Sequence, residues 1–81
     1  MSLSAPPGWT VDGDAFVRDW RFASYPEAAA FVTRLALLAE RLDHHPDLHW
    51  QYTHLTVRLT SHDVGGLSKR DVRYAEAVNL I

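Results

Sequence analysis

Apolar positions change period along this chain, and each change marks an element. Between Ala15 and Phe22 they alternate, with Phe16, Trp20 and Phe22 on one parity and Arg18 as the single break. Trp9 to Val11, closed by Asp12-Gly13, has the make-up of a shorter partner strand, so the opening third predicts a hairpin. From Ala28 the recurrence becomes threes and fours through Phe31, Val32, Leu35, Leu38, Ala39 and Leu42, the stripe of an amphipathic helix lying on a sheet. Ser24-Tyr25-Pro26-Glu27 has the form of a capping box with proline in the first turn, and Pro46 closes the helix because the residue before a proline avoids the helical region. Ala29, Ala30 and Leu37 fall off the stripe and hint at a second covered face, against another subunit.

Alternation then returns, but with a shift of phase. Leu48, Trp50 and Tyr52 share one parity and Leu55, Val57 and Leu59 the other, which calls for a tight turn or a bulge around Thr53-His54. After the break at Gly65-Gly66, Leu67-Ser68-Lys69-Arg70-Asp71-Val72 reads as a staple and capping box opening a second helix to Leu80. The order is ββαββα, an α+β domain.

Length and composition narrow the functional classes. At 81 residues there is room for one small domain with a modest core, so self-association is expected. Residues 9–81 form that domain and residues 1–8, rich in proline and small residues, are a disordered or extended lead-in. A net charge of −2 and Lys and Arg placed singly, apart from Lys69-Arg70 and Arg73, argue against direct nucleic-acid binding or attachment to an acidic membrane. The absence of cysteine removes disulfides, thiolate metal sites and thiol catalysis together. No charged segment leads an apolar run and no stretch is apolar enough to span a bilayer, so the expectation is a soluble, cytoplasmic protein.

Candidate chemistry gathers between Glu40 and Asp71. Adjacent His44 and His45 precede Pro46 at a helix-to-strand junction, and His62 follows the end of a strand, where it can approach them if the two strands are neighbours. Zinc fits poorly: neighbouring histidines on extended backbone point apart, there is no His-x-His, and Pro46 prevents His45 and His49 from sharing a helix face. Ser68 lacks the Gly-x-Ser-x-Gly setting of a hydrolase. Proton transfer suits imidazoles, whose ordinary pKa of about 6.5 lets one ring serve as acid and another as base. Asp71 has a structural alternative as the third residue of its capping box, Glu40 one as a solvated helix position, and Trp50 and Tyr52 one as packing residues. His49 and His54 read as surface residues.

The spacing itself is distinctive. Glu40, three residues, His44-His45-Pro46, five residues, Tyr52, nine residues, His62, eight residues, Asp71 resembles the signature of the pterin-4a-carbinolamine dehydratases, whose animal members double as a dimerisation cofactor for a homeodomain transcription factor. The resemblance extends over nearly all of Trp9 to Ile81, including Leu55 to Thr60 and His62 to Asp71. It implies a four-stranded antiparallel sheet with helices on one side, and dehydration of 4a-hydroxytetrahydropterin to quinonoid dihydropterin with no metal or organic cofactor. It implies that His44, His45 and His62 surround the carbinolamine, with Glu40, Pro46, Tyr52 and Asp71 binding substrate or supporting the site. It further implies a homodimer or homotetramer with contacts at sheet edges and the long helix. The family's extra helix ahead of the first hairpin has no counterpart in Met1 to Gly8. Two other readings accompany it: a non-catalytic interaction module of the same fold, and service in a different pterin route such as molybdenum cofactor assembly.

Overall fold

The computed structural model describes residues 3–81. Strands β1 (Thr10–Asp12), β2 (Ala15–Arg21), β3 (Asp47–Gln51) and β4 (His54–Leu59) form one antiparallel sheet in the order β1-β2-β4-β3. Helices α1 (Tyr25–Leu42) and α2 (Lys69–Val78) complete the ββαββα order and the α+β class. A 3-10 turn, His62–Val64, lies between β4 and α2.

Pairing across the sheet explains the two parities. Phe16 faces Leu59, Trp20 faces Leu55, and on the other side Leu48 faces Val57 and Trp50 faces Leu55, so all lie on one face. Phe16, Leu55, Val57 and Leu59 are wholly buried there, with Leu35 of α1 and Tyr74 and Ala75 of α2 in the same core. The phase shift is a tight turn: Gln51 pairs with His54, leaving Tyr52 and Thr53 as the loop, and Tyr52 takes a positive φ of 52°. Arg18, the break in the first row, does sit on the inner face opposite Val57. It leaves the core by laying its guanidinium 4.7 Å over Trp20 and donating to Asn79 Oδ1 at 2.6 Å.

Both helix starts follow the expected chemistry with one variation. Ser24 Oγ accepts from the Glu27 amide at 3.3 Å, but the Glu27 carboxylate reaches back to the Ala23 amide, at 3.2 Å, one residue beyond the capping position. At the other end α1 stops sooner than Pro46 alone requires. Asp43 turns left-handed (φ 51°) and the His44 amide donates to Ala39 O at 3.1 Å, so orphan carbonyls of the last turn are satisfied. His44 and His45 therefore leave the helix before the proline. Helix α2 ends at Val78, two residues short of the expected Leu80, where Asn79 Nδ2 donates to Pro7 O at 2.9 Å and its Oδ1 serves Arg18. Those contacts hold the lead-in against the fold, and Leu3 and Ala5 pack on the core.

Candidate functional site

Three local devices bring site residues together. The left-handed Asp43 aims His44 inward, while β3 pairs with β4 and so returns the chain to the turn that follows Leu59. That turn is clasped at its base by Ser61 and Gly66, which exchange main-chain hydrogen bonds at 3.0 and 3.2 Å, with Gly65 at φ 70° supplying the left-handed step. Ser68 then caps α2, placing Asp71 one turn in and inside the protein.

Asp71 is the centre of what results. Its side chain is fully buried and both carboxylate oxygens are engaged: Oδ1 lies 2.6 Å from His44 Nε2, and Oδ2 accepts from Ser61 Oγ at 2.8 Å and from the Ser68 amide at 2.9 Å. A carboxylate in its ordinary ionised form can only accept, and the Ser61 hydroxyl and the Ser68 amide both donate to it. The bond from Ser68 completes the capping box, so one carboxylate both starts α2 and holds His44. The capping role expected of Asp71 is thus present, and the same carboxylate also contacts His44.

His45 sits outside, where its Nε2 is 2.8 Å from Glu40 Oε1, with both side chains largely in solvent. Together with Pro46, Leu48, Leu35, Ala36 and Ala39, this pair lines a hollow of about 250 Å³ between α1 and the edge strand β3. His62 is exposed at the start of its 3-10 turn, and among the described residues its ring has no hydrogen-bond or ionic partner. Its neighbours are anchored: Ser61 binds Asp71, and Asp63 pairs with Arg70 of α2. The guanidinium hydrogen bond holds the Asp63 carboxyl below the usual carboxylate range.

Tyr52 lies away from the His44–Asp71 and His45–Glu40 contacts. It is 73% exposed at the far end of β3 from Pro46, stacked in a row with Tyr25 and Trp50 at the start of α1. The histidine pair follows the other end of that helix, about 27 Å away along an 18-residue rod. Trp50 donates its indole N–H to Tyr52 O at 2.7 Å, a packing and turn-stabilising role. Among the described residues, no group of three or more His, Asp or Glu side chains is arranged to hold a metal ion. A separate hollow, about 510 Å³, lies elsewhere, against Arg18, Trp20, Phe31 and the end of α2. Ser61 and Ser68 went unnoticed as site residues in the sequence; their position, one before His62 and three before Asp71, was the available signal.

Comparison with known proteins gives the family of the chain. The family profile described as pterin 4 alpha carbinolamine dehydratase matches residues 1–81. The chain belongs to this dehydratase family. A protein from Prochlorococcus marinus strain MIT 9313, provisionally named pterin-4-alpha-carbinolamine dehydratase, is 51% identical over 75 residues, covering 93% of this chain and 78% of its own. One from Chloroflexus aurantiacus strain J-10-fl, named in the same provisional way, is 42% identical over 79 residues, 98% of this chain and 85% of that one. Among solved structures, a transcriptional coactivator/pterin dehydratase from Brucella melitensis superposes with a TM-score of 0.84 at 36% identity, covering 91% of this chain and 81% of that one. A pterin dehydratase-like protein described as a RuBisCO assembly factor of the alpha-carboxysome shares the dehydratase fold, with a TM-score of 0.71 at 22% identity, over 89% of this chain and 83% of its own.

Proposed function

We propose that this member of the dehydratase family removes water from a 4a-hydroxytetrahydropterin to give the quinonoid dihydropterin, by acid-base catalysis from histidine and without metal or organic cofactor. The observation that carries the reading is the buried His44–Asp71 pair set beside the exposed His45–Glu40 pair. A buried ring held in one orientation beside an exposed ring in contact with solvent suits a reaction that must both position a planar molecule and move protons on and off it. In the substrate, the bond from C4a to its hydroxyl oxygen breaks as that oxygen takes a proton and leaves as water. The lone pair of the adjacent nitrogen forms the new carbon–nitrogen double bond, and the proton on that nitrogen is passed to a base. His45 and His62 divide these roles while His44, fixed by Asp71, orients the ring system or shares the proton. General acid-base help of this kind contributes roughly 10² to 10⁴ in rate. Glu40 steadies His45, and Pro46 sets the backbone between the imidazoles and β3.

This reaction serves tetrahydropterin recycling in the cytoplasm. The exposed Leu37 on the outer side of α1, beside Arg34 and Arg41, favours assembly of the chain into a homodimer or homotetramer. The test is the dehydration rate of a 4a-hydroxypterin with the wild-type protein and with His45→Ala. A hundredfold loss is expected, and an unchanged rate would remove the proposal.

A second reading is favoured by the Brucella melitensis structure, whose description includes a transcriptional coactivator. As an interaction module, the chain would keep its partner binding after His44, His45 and His62 are all changed to Ala, and the intact protein would have no pterin affinity.

A further inference from the structure

We propose that Ser61 is a positioning residue of this site, whose hydroxyl locks Asp71 and through it fixes His44 as the Nε2–H tautomer, with Nδ1 left as the ring nitrogen that carries no proton. The inference rests on the dehydratase reading for its catalytic part, but its structural part stands on hydrogen-bond direction alone.

An ionised Asp71 only accepts, so the Ser61 hydroxyl, 2.8 Å from Oδ2, must donate its one proton to it. Ser61 Oγ is also 2.7 Å from Ser68 Oγ; having spent its proton, it accepts there, so Ser68 donates. Ser68 Oγ in turn accepts from the Arg70 amide at 3.2 Å and from Arg70 Nε at 3.4 Å. The chain therefore runs one way, from Arg70 through Ser68 and Ser61 to Asp71. His44 Nε2, 2.6 Å from Oδ1, has to be the donor as well, which leaves Nδ1 as the nitrogen free to take a proton. Ser61 is 1% exposed and Asp71 0%, so water does not replace a missing member. A carboxylate short of one buried donor is free to rotate toward the remaining ones, and His44 then loses its preferred tautomer and its angle.

The residue also stands next to His62. Its main chain closes the loop through Gly66, and that clasp uses no side-chain atom. Replacing Ser61 by Ala thus removes the hydroxyl while keeping the bonds that hold the His62 loop.

The experiment compares wild type, Ser61→Ala and Ser61→Cys, the last keeping the shape with a weak donor. Two readouts are taken: steady-state dehydration of a 4a-hydroxypterin, and ¹⁵N spectra of the His44 ring in the free protein. For Ser61→Ala the expected results are kcat lowered about tenfold, the rate equivalent of one hydrogen bond, with KM within twofold. The spectrum should pass from a single Nε2–H form to a mixture of tautomers, with Ser61→Cys between. If Ser61→Ala does not fold, the same shifts are read in Ser61→Cys. A folded variant with wild-type kcat and an unchanged His44 spectrum overturns the proposal. Should the wild type itself turn over no pterin, the proposed function fails and the spectrum alone decides: a mixture of tautomers upholds the Ser61 link, and an unchanged ring overturns it.

Discussion

Two imidazole–carboxylate contacts of nearly equal length sit side by side in this protein and differ in almost everything else. His44 meets Asp71 at 2.6 Å with side-chain exposures of 9% and 0%; His45 meets Glu40 at 2.8 Å with exposures of 59% and 79%. Distance therefore says little about what each contact does. Inside, each polar atom lacks water and must keep its partner, so the contact specifies one geometry. Outside, solvent competes with the pair and screens it, so the contact steers His45 without fixing it. A site that moves two protons can use both: a ring held still to orient, and a ring free enough to exchange.

The largest break in that comparison is expected from Asp71→Ala. It leaves His44 Nε2, the Ser61 hydroxyl and the Ser68 amide without their acceptor and removes half of the capping box, at a cost of about 3 kcal/mol in urea unfolding. For a domain of this size that is a large part of the total stability. Next comes His44→Ala, which strands the buried carboxylate with fewer donors and should cost about 2 kcal/mol, against at most about 0.5 kcal/mol for His45→Ala. Equal costs for the two histidines would erase the distinction drawn between them.

Tyr74 sharpens the comparison by giving a buried polar contact with no part in the chemistry. Its hydroxyl donates to Leu35 O at 2.8 Å and burial pushes its pKa up to about 12. An unfolded tyrosine loses its proton near pH 10, so the folded chain's stability is whole below about pH 10 and drains away as pH rises toward 12. Tyr74→Phe should cost about 1 kcal/mol at neutral pH, soften that alkaline decline and leave dehydration untouched. The smallest effect belongs to Arg70→Gln. Its ion pair holds the Asp63 carboxyl low, which lends stability above the ordinary carboxylate range that is lost as the pH falls through the folded value. Both groups are exposed, so the melting temperature should shift only slightly at low salt and not at all in 1 M salt.

The fold was readable because its elements obey simple periods. The rows Phe16-Trp20 and Leu55-Val57-Leu59 alternate, the stripe from Ala28 to Leu42 is helical, and Ser68 with Asp71 spells a cap, all of which are local patterns. What escaped were the outcomes set by atoms far apart in sequence. Arg18 can occupy the inner face because Asn79, at the end of α2, and the Trp20 ring receive it. Helix α1 ends at Leu42 because Asp43 adopts a left-handed backbone, which no period announces. In the site, spacing singled out His44, His45, His62 and Asp71. It could not tell that Ser61 lies between Asp71 and Ser68, since that contact depends on how the Gly65 turn folds back. Nor could it show that Tyr52 lies at the opposite end of β3 from His45.

His62 is the least constrained of the three imidazoles, and the account stands or falls on its sharing a site with the other two. The direct measurement is a titration of the protein with a non-reacting dihydropterin while following the ring signals of all five histidines. Saturable shifts at His44, His45 and His62, with His49 and His54 unmoved, are the predicted result. Shifts confined to His44 and His45, with His62 silent at saturation, would contradict it.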